Sequence, residues 1–264
     1  EVIKKLAIDD IVANATCDFG ATSTVTLTER VLQPEEFQVN LQLCKKDFRS
    51  DWEAIQMGYS AYDNLPANFS DFLIANIAGK VAQKTEQTIW AGVNATAGEF
   101  DGFTTLFAAD ASVLDVTGTT VTAANVIEEM GKVMDAVPAA LYGKEDLTIY
   151  VPQNVAKAYV RALGGFGAAG LGAAGTDAKG TQWYGNQPLF FDGVRVAMVN
   201  GLPSNKMVAA QSSNLYFGTG LLSDHNEVKL LDMGDLDGSQ NVRVIMRYTA
   251  GVQYGIGSEV VYYA

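Results

Sequence analysis

The sequence predicts an α+β protein, and three observations carry that class. Between Phe37 and Leu43, apolar Phe37, Val39, Leu41 and Leu43 share one face while Gln38, Asn40 and Gln42 take the other, the period of two of a pleated strand. Downstream, Phe69, Leu73, Ile77 and Val81 recur at i, i+4, i+8 and i+12, with Phe72 and Ile74 beside them and Ile89 and Trp90 closing the stripe. That pattern predicts one helix of about 25 residues, roughly 37 Å long. From Trp183 onward the pattern is almost all β. Helices and strands mixed in this way give intermingled layers.

Taken in order, residues 1–20 hold the apolar cluster Val2, Ile3, Leu6, Ile8, Ile11 and Val12 and read as an N-terminal arm. Val25 and Leu27 alternate with Thr24, Thr26 and Thr28 in a threonine-rich strand. The turn Gln33-Pro34-Glu35 would join it to the Phe37 strand as a hairpin. An isolated hairpin is marginal in water, so this one should pack on its own body or on a neighbour. Asp51 to Tyr59 reads as a short helix, and Leu65-Pro66 sets the start of the long one, with Gly92 as its stop. A Gly-rich crossing with Gly98, Gly102 and Gly118 leads to an amphipathic helix from about Thr122 to Val137. Leu147 to Val151 reads as a buried strand, and Pro152 opens a helix through Leu163. Further strands are expected at Val194–Val199, Met207–Ala210, Leu215–Phe217, Val228–Leu231, Val242–Tyr254 and Val260–Tyr263. Asp192-Gly193, Asn200-Gly201 and Asp237-Gly238 mark turns.

Composition bounds the function. At 264 residues, 48% hydrophobic and 18% charged, the chain can bury a sizeable core and is ordered. Its longest apolar runs fall far short of the roughly 20 residues of a membrane span. A net charge of −12 argues against a protein whose main task is gripping nucleic-acid phosphates. Cys17 and Cys44 are the only cysteines and read as reduced thiols.

Few motifs carry chemistry. Gly165 to Gly170 and Gly170 to Gly175 both match the dinucleotide fingerprint by letter, but they follow a helix instead of a strand and open no helical pattern. The stretch Gly164 to Gly180 reads as a small-residue loop. Asp232, Asp235 and Asp237 before Gly238 resemble part of a calcium loop, yet in the register set by Gly238 the first and last ligand positions fall on Met233 and Val244. A solvated acidic turn accounts for them. His225 is the only histidine, and Ser223 and Asp224 beside it are adjacent in sequence, which is not the geometry of a triad. Glu35-Glu36 and Glu128-Glu129 read as exposed charge. No catalytic, cofactor-binding or metal residue is expected. Lys45, Lys46 and Arg49 form one compact basic cluster, flanked by Asp47 and Asp51, which could meet the acidic surface of another copy.

The order of these elements resembles the tailed-phage major capsid protein family, the Hong Kong 97-type fold. The resemblance spans nearly the whole chain. It is carried by Glu29-Arg30-Val31-Leu32 to Lys45-Lys46-Asp47-Phe48, by the spine from Phe69 to Gly92, and by Gln187-Pro188-Leu189 to Asn200-Gly201-Leu202-Pro203. Asn214-Leu215-Tyr216-Phe217-Gly218 and the closing strands from Val242 to Tyr263 complete it. The resemblance implies an N-terminal arm over 1–20, an extended hairpin loop with linker over 21–64, a peripheral domain of 65–92 with 223–255, and an axial domain of 93–222 with 256–264. It implies a shell subunit without enzyme activity or cofactor, forming hexamers and pentamers of an icosahedral virion capsid around double-stranded DNA held without sequence specificity. Portal, scaffold, maturation protease and decoration proteins are the implied partners, with assembly in the host cytoplasm and no membrane. A scaffolding segment removed by a maturation protease would precede Glu1. Arg30, Phe37, Val39, Leu41, Lys45, Lys46 and Arg49 are the candidate inter-subunit contacts. The alternative with the same fold is an encapsulin-type cellular compartment holding a cargo protein.

Overall fold

The computed structural model describes residues 1–8, 25–47, 67–163, 189–220 and 228–264. Strands β1 (Val2–Ile8), β2 (Val25–Val31) and β3 (Glu35–Cys44) lead into the long helix α1 (Ala67–Ala91). There follow α2 (Phe103–Ala109), β4 (Leu114–Val116), α3 (Val126–Asp135), β5 (Leu147–Val151), α4 (Gln153–Leu163), β6 (Leu189–Phe191), β7 (Val194–Met198), β8 (Met207–Gln211) and β9 (Leu215–Gly218). The chain closes with β10 (Val228–Asp232), the short α5 (Gly234–Asp237), β11 (Asn241–Tyr254) and β12 (Val261–Tyr263). These elements fall into two compact units, one of Glu1–Gln33, Glu86–Phe217 and Val252–Ala264, the other of Pro34–Thr85 and Gly218–Gly251. Helix α1 and strand β11 each have residues in both.

The first unit is built on a mixed six-stranded sheet in the order β4-β12-β8-β5-β7-β6. Its middle strands are largely buried: every residue of β8 is, and so are Leu147, Ile149 and Val151 on one face of β5. Helix α3 adds Val126, Met130, Val133 and Met134, one stripe at helical spacing, and α4 adds Val155, Ala156, Ala158 and Tyr159. These helix residues join Leu147, Ile149 and Val151 of β5 and Val196, Met207, Ala209, Val261 and Tyr263 in a single core cluster. Each large side chain so buried stabilises the fold by about 1.5–3 kcal/mol relative to exposure. Strands β6 and β7 form the hairpin expected at Asp192-Gly193, where both turn residues have positive φ (46° and 79°).

In the second unit β10, β11 and β3 run antiparallel side by side. Val242, Val244 and Met246 are buried on one face of β11, opposite Leu43, Leu41 and Val39 of β3. On helix α1 the predicted stripe is inward: Ile77 is buried and Leu73 and Val81 are half-buried, while the residues between them are mostly exposed.

This pairing corrects the expected hairpin. The threonine-rich strand β2 does not turn back on β3. It pairs antiparallel with β1, from Val2 opposite Val31 to Ile8 opposite Val25. Strand β3 pairs instead with β11, from Cys44 opposite Asn241 to Glu35 opposite Ala250. The physical reason lies at Leu32 and Pro34. The Leu32 amide closes the β1–β2 ladder on the Glu1 carbonyl at 2.8 Å, and Pro34 has no N–H with which to continue it. The apolar face of β3 is thereby used within its own sheet.

The Gly-rich crossing also carries two elements that the sequence did not announce, α2 and β4. Helix α2 is tied to the end of α1 by Thr104 Oγ1 donating to the Trp90 carbonyl at 2.8 Å and Thr105 Oγ1 to the Gly92 carbonyl at 2.7 Å. Gly92 and Gly102 have no room for a side chain: a Cβ would lie 2.3 Å from the Phe100 oxygen and 2.4 Å from the Thr88 oxygen, respectively.

Candidate functional site

The β1–β2 hairpin is fastened at its root to the rest of the first unit. The Glu1 nitrogen donates to the Leu32 carbonyl at 2.9 Å, and Leu32 is buried. Beside it the Arg30 guanidinium forms an ion pair with Asp110 and lies 4.2 Å from the centroid of the Tyr254 ring. The Tyr254 hydroxyl donates to Asp110 Oδ2 at 2.6 Å, and the Ser112 amide donates to Oδ1 at 2.8 Å. Asp110 ends α2, its own amide bonded to the Phe107 carbonyl at 3.2 Å, and Tyr254 packs edge-on against Phe107 with centroids 5.0 Å apart. The seat is therefore rigid. The Tyr254 hydroxyl, then Arg30 and the Ser112 amide, hold the Asp110 carboxyl well below the usual carboxylate range against the effect of burial. Burial, reinforced by Asp110, pushes the Tyr254 phenol up.

The other face of the root is bare. Val2 and Val31 are directly paired across the strands and 47% and 59% exposed, and Lys4 and Glu29 form an exposed cross-strand ion pair at 3.8 Å. Strand alternation puts Arg30 on one side and Val31 on the other. A strand pair with an apolar pair on its free face is an association surface.

All the other predicted contact residues except Arg49 have a definite place in the second unit. Phe37 packs on Tyr248 with ring centroids 5.5 Å apart, Val39 is half-buried, and Leu41 is 43% exposed. Lys45 forms an ion pair with Asp232, its amide bonds the Gln240 carbonyl at 2.8 Å, and Lys46 is exposed. The basic cluster thus loses Lys45 to an internal partner. Arg49, Cys17, the helix expected at 51–59, the Gly164 to Gly180 loop, and His225 with Ser223 and Asp224 lie outside the described residues.

The acidic turn is held together by its own backbone. Asp232 Oδ1 accepts from the Gly234 amide and Asp237 Oδ1 from the Ser239 amide, both at 2.9 Å, while Asp232 Oδ2 meets Lys45. Among the described residues no group of His, Cys, Asp and Glu is arranged to hold a metal ion, and no helix is long and apolar enough to cross a membrane.

Glu129 departs from the expectation of exposed charge, whereas Glu128 fits it. Glu129 is buried because three donors await it: Tyr263 Oη at 2.7 Å, Lys132 Nζ at 2.9 Å and Thr119 Oγ1 at 3.0 Å. Burial pushes its carboxyl up, and these donors more than reverse that, leaving it below the ordinary glutamate value. Burial and Glu129 together push the Tyr263 phenol up to about 12. The cluster fastens β12 to α3. Asn214 does similar work, its Oδ1 accepting from the Gly255 and Ile256 amides at 3.1 and 2.8 Å.

No protein-family model and no curated protein sequence matches the chain. Solved structures do. The chain is similar to one from Gordonia phage Cozz at 12% identity, covering 99% of this chain and 80% of that one, with a TM-score of 0.62. It is similar to the capsid of an empty GTA particle at 14% identity, 99% and 84% coverage and a TM-score of 0.60. A virus-like particle from Pyrococcus furiosus follows at 10% identity, 100% and 86% coverage and a TM-score of 0.53. Sequences this far apart share architecture and little else, and the shared architecture runs from the root of the first hairpin to the last strand. The chain has the Hong Kong 97-type capsid fold.

Proposed function

We propose that this chain is a major capsid protein: a structural, non-enzymatic subunit that self-assembles through hexamers and pentamers into an icosahedral shell enclosing phage double-stranded DNA. The observation that carries the reading is the fold shared over 99% of the chain with the capsid of an empty GTA particle. In this reading the second unit is the peripheral domain and the greater part of the first is the axial domain. The β1–β2 hairpin is the extended loop laid over a neighbouring copy, with Val2 and Val31 facing it, and Leu41 and Lys46 are further candidate contacts. Many weak contacts of this kind, repeated by symmetry, make a stable shell. Portal, scaffold, maturation protease and decoration proteins belong to the same reading, as do a place in the virion and assembly in the host cytoplasm.

An encapsulin-type compartment is the second reading, favoured by the similarity to the virus-like particle from Pyrococcus furiosus. Shell contents separate the two. Particles purified from the native source should hold nuclease-protected double-stranded DNA if the first reading is right. Particles free of DNA, with one stoichiometric guest protein inside, would favour the second.

A further inference from the structure

Among the described residues, three side-chain contacts join the hairpin root to the rest of the first unit. Ile3 lies beside Gly255, the Gln253 side-chain amide donates to the Val31 carbonyl at 3.2 Å, and Arg30 meets Asp110 and Tyr254. Of these only the Arg30 contact is ionic. Its seat does not depend on it, because Asp110 keeps the Tyr254 hydroxyl, the Ser112 amide and its place at the end of α2 when Arg30 leaves. The Arg30 side chain itself is 31% exposed, so water reaches part of it. Among these described contacts Arg30 is the charged one, and a single charged contact is the kind of small difference on which a two-state element turns.

We infer that Arg30 is a latch: its contact with Asp110 and Tyr254 sets the direction in which the hairpin leaves the first unit, and its release lets the hairpin pivot about Leu32 and Gln33 without unfolding the sheet. The inference rests on the proposed role of the hairpin as an arm laid over a neighbouring copy. A planar guanidinium suits the task because it can stack on the phenol ring and pair with the carboxylate at once, which an ammonium cannot.

Backbone amide exchange of the full chain at a concentration below assembly tests the latch. Arg30→Gln should speed exchange of the β1 and β2 amides about 10- to 100-fold, the loss expected for one charged hydrogen bond, and leave the amides of β5 unchanged. Arg30→Lys should fall between. Asp110→Asn should speed the same β1 and β2 amides at least as much, and adding Arg30→Gln to it should speed them no further. Unchanged hairpin exchange in Arg30→Gln, or equal acceleration in β5, would overturn the latch. Since the readout is taken on unassembled protein, failure of the wild-type chain to form shells would defeat the arm's proposed role and leave the latch measurement standing.

Discussion

Asp110 and Glu129 are acids whose value depends on what surrounds them, and each makes a prediction. The folded-state pKa of Asp110 lies below its unfolded value of about 3.9, so its stabilising contribution is present above that pH and is lost only as pH falls through the depressed folded value. Asp110→Asn should cost about 1.5–3 kcal/mol in urea denaturation at pH 7. The deficit should persist at about pH 3, where an ordinary aspartate is largely protonated. A deficit already gone there would contradict the geometry. Tyr263→Phe removes one of three donors to a buried carboxylate and should cost about 1.5–3 kcal/mol, measured in the same way. Neither site was legible in the sequence. Arg30 and Asp110 lie 80 positions apart, and Tyr263 and Glu129 lie 134 apart, so no spacing rule joins them. Glu128-Glu129 looked like exposed charge because burial of the second acid depends on a strand at the far end of the chain.

Elements were legible where one face alone had to be apolar. Helix α1 follows its stripe over the expected 25 residues, and β5 begins and ends where the apolar run does. Helix α2 was not visible because its seven residues, FTTLFAA, are too few to show a period. The partners of β2 and β3 are hidden in the sequence for a different reason. Alternation says that a strand has two faces, not which strand lies beside it, and the partner of β3 comes about 200 residues later in β11. Close approaches at element ends are testable. A Cβ on Gly201 would lie 2.1 Å from the Glu86 backbone oxygen at the end of α1, so Gly201→Ala should lower the unfolding free energy by about 1–3 kcal/mol. No loss of stability would mean that this turn is not seated on the helix. Because Phe37, Val39 and Leu41 are committed to β11, deleting β3 should unfold the second unit, whereas shortening β1 and β2 to a tight turn should leave both units folded by circular dichroism.

At the scale of the whole molecule the chain has a mixed-sheet core and a latched hairpin with an apolar pair on its free face, and its net charge of −12 spaces copies in solution. Its fold is that of proteins whose work is done by many copies together. The most direct measurement is particle mass by light scattering, with negative-stain microscopy, on the wild-type chain and on the hairpin-shortened variant side by side. Closed shells from the first, and folded but unassembled subunits from the second, are the predicted result. A stable 28.2 kDa monomer from the wild-type chain, or normal shells from the shortened one, would contradict the account.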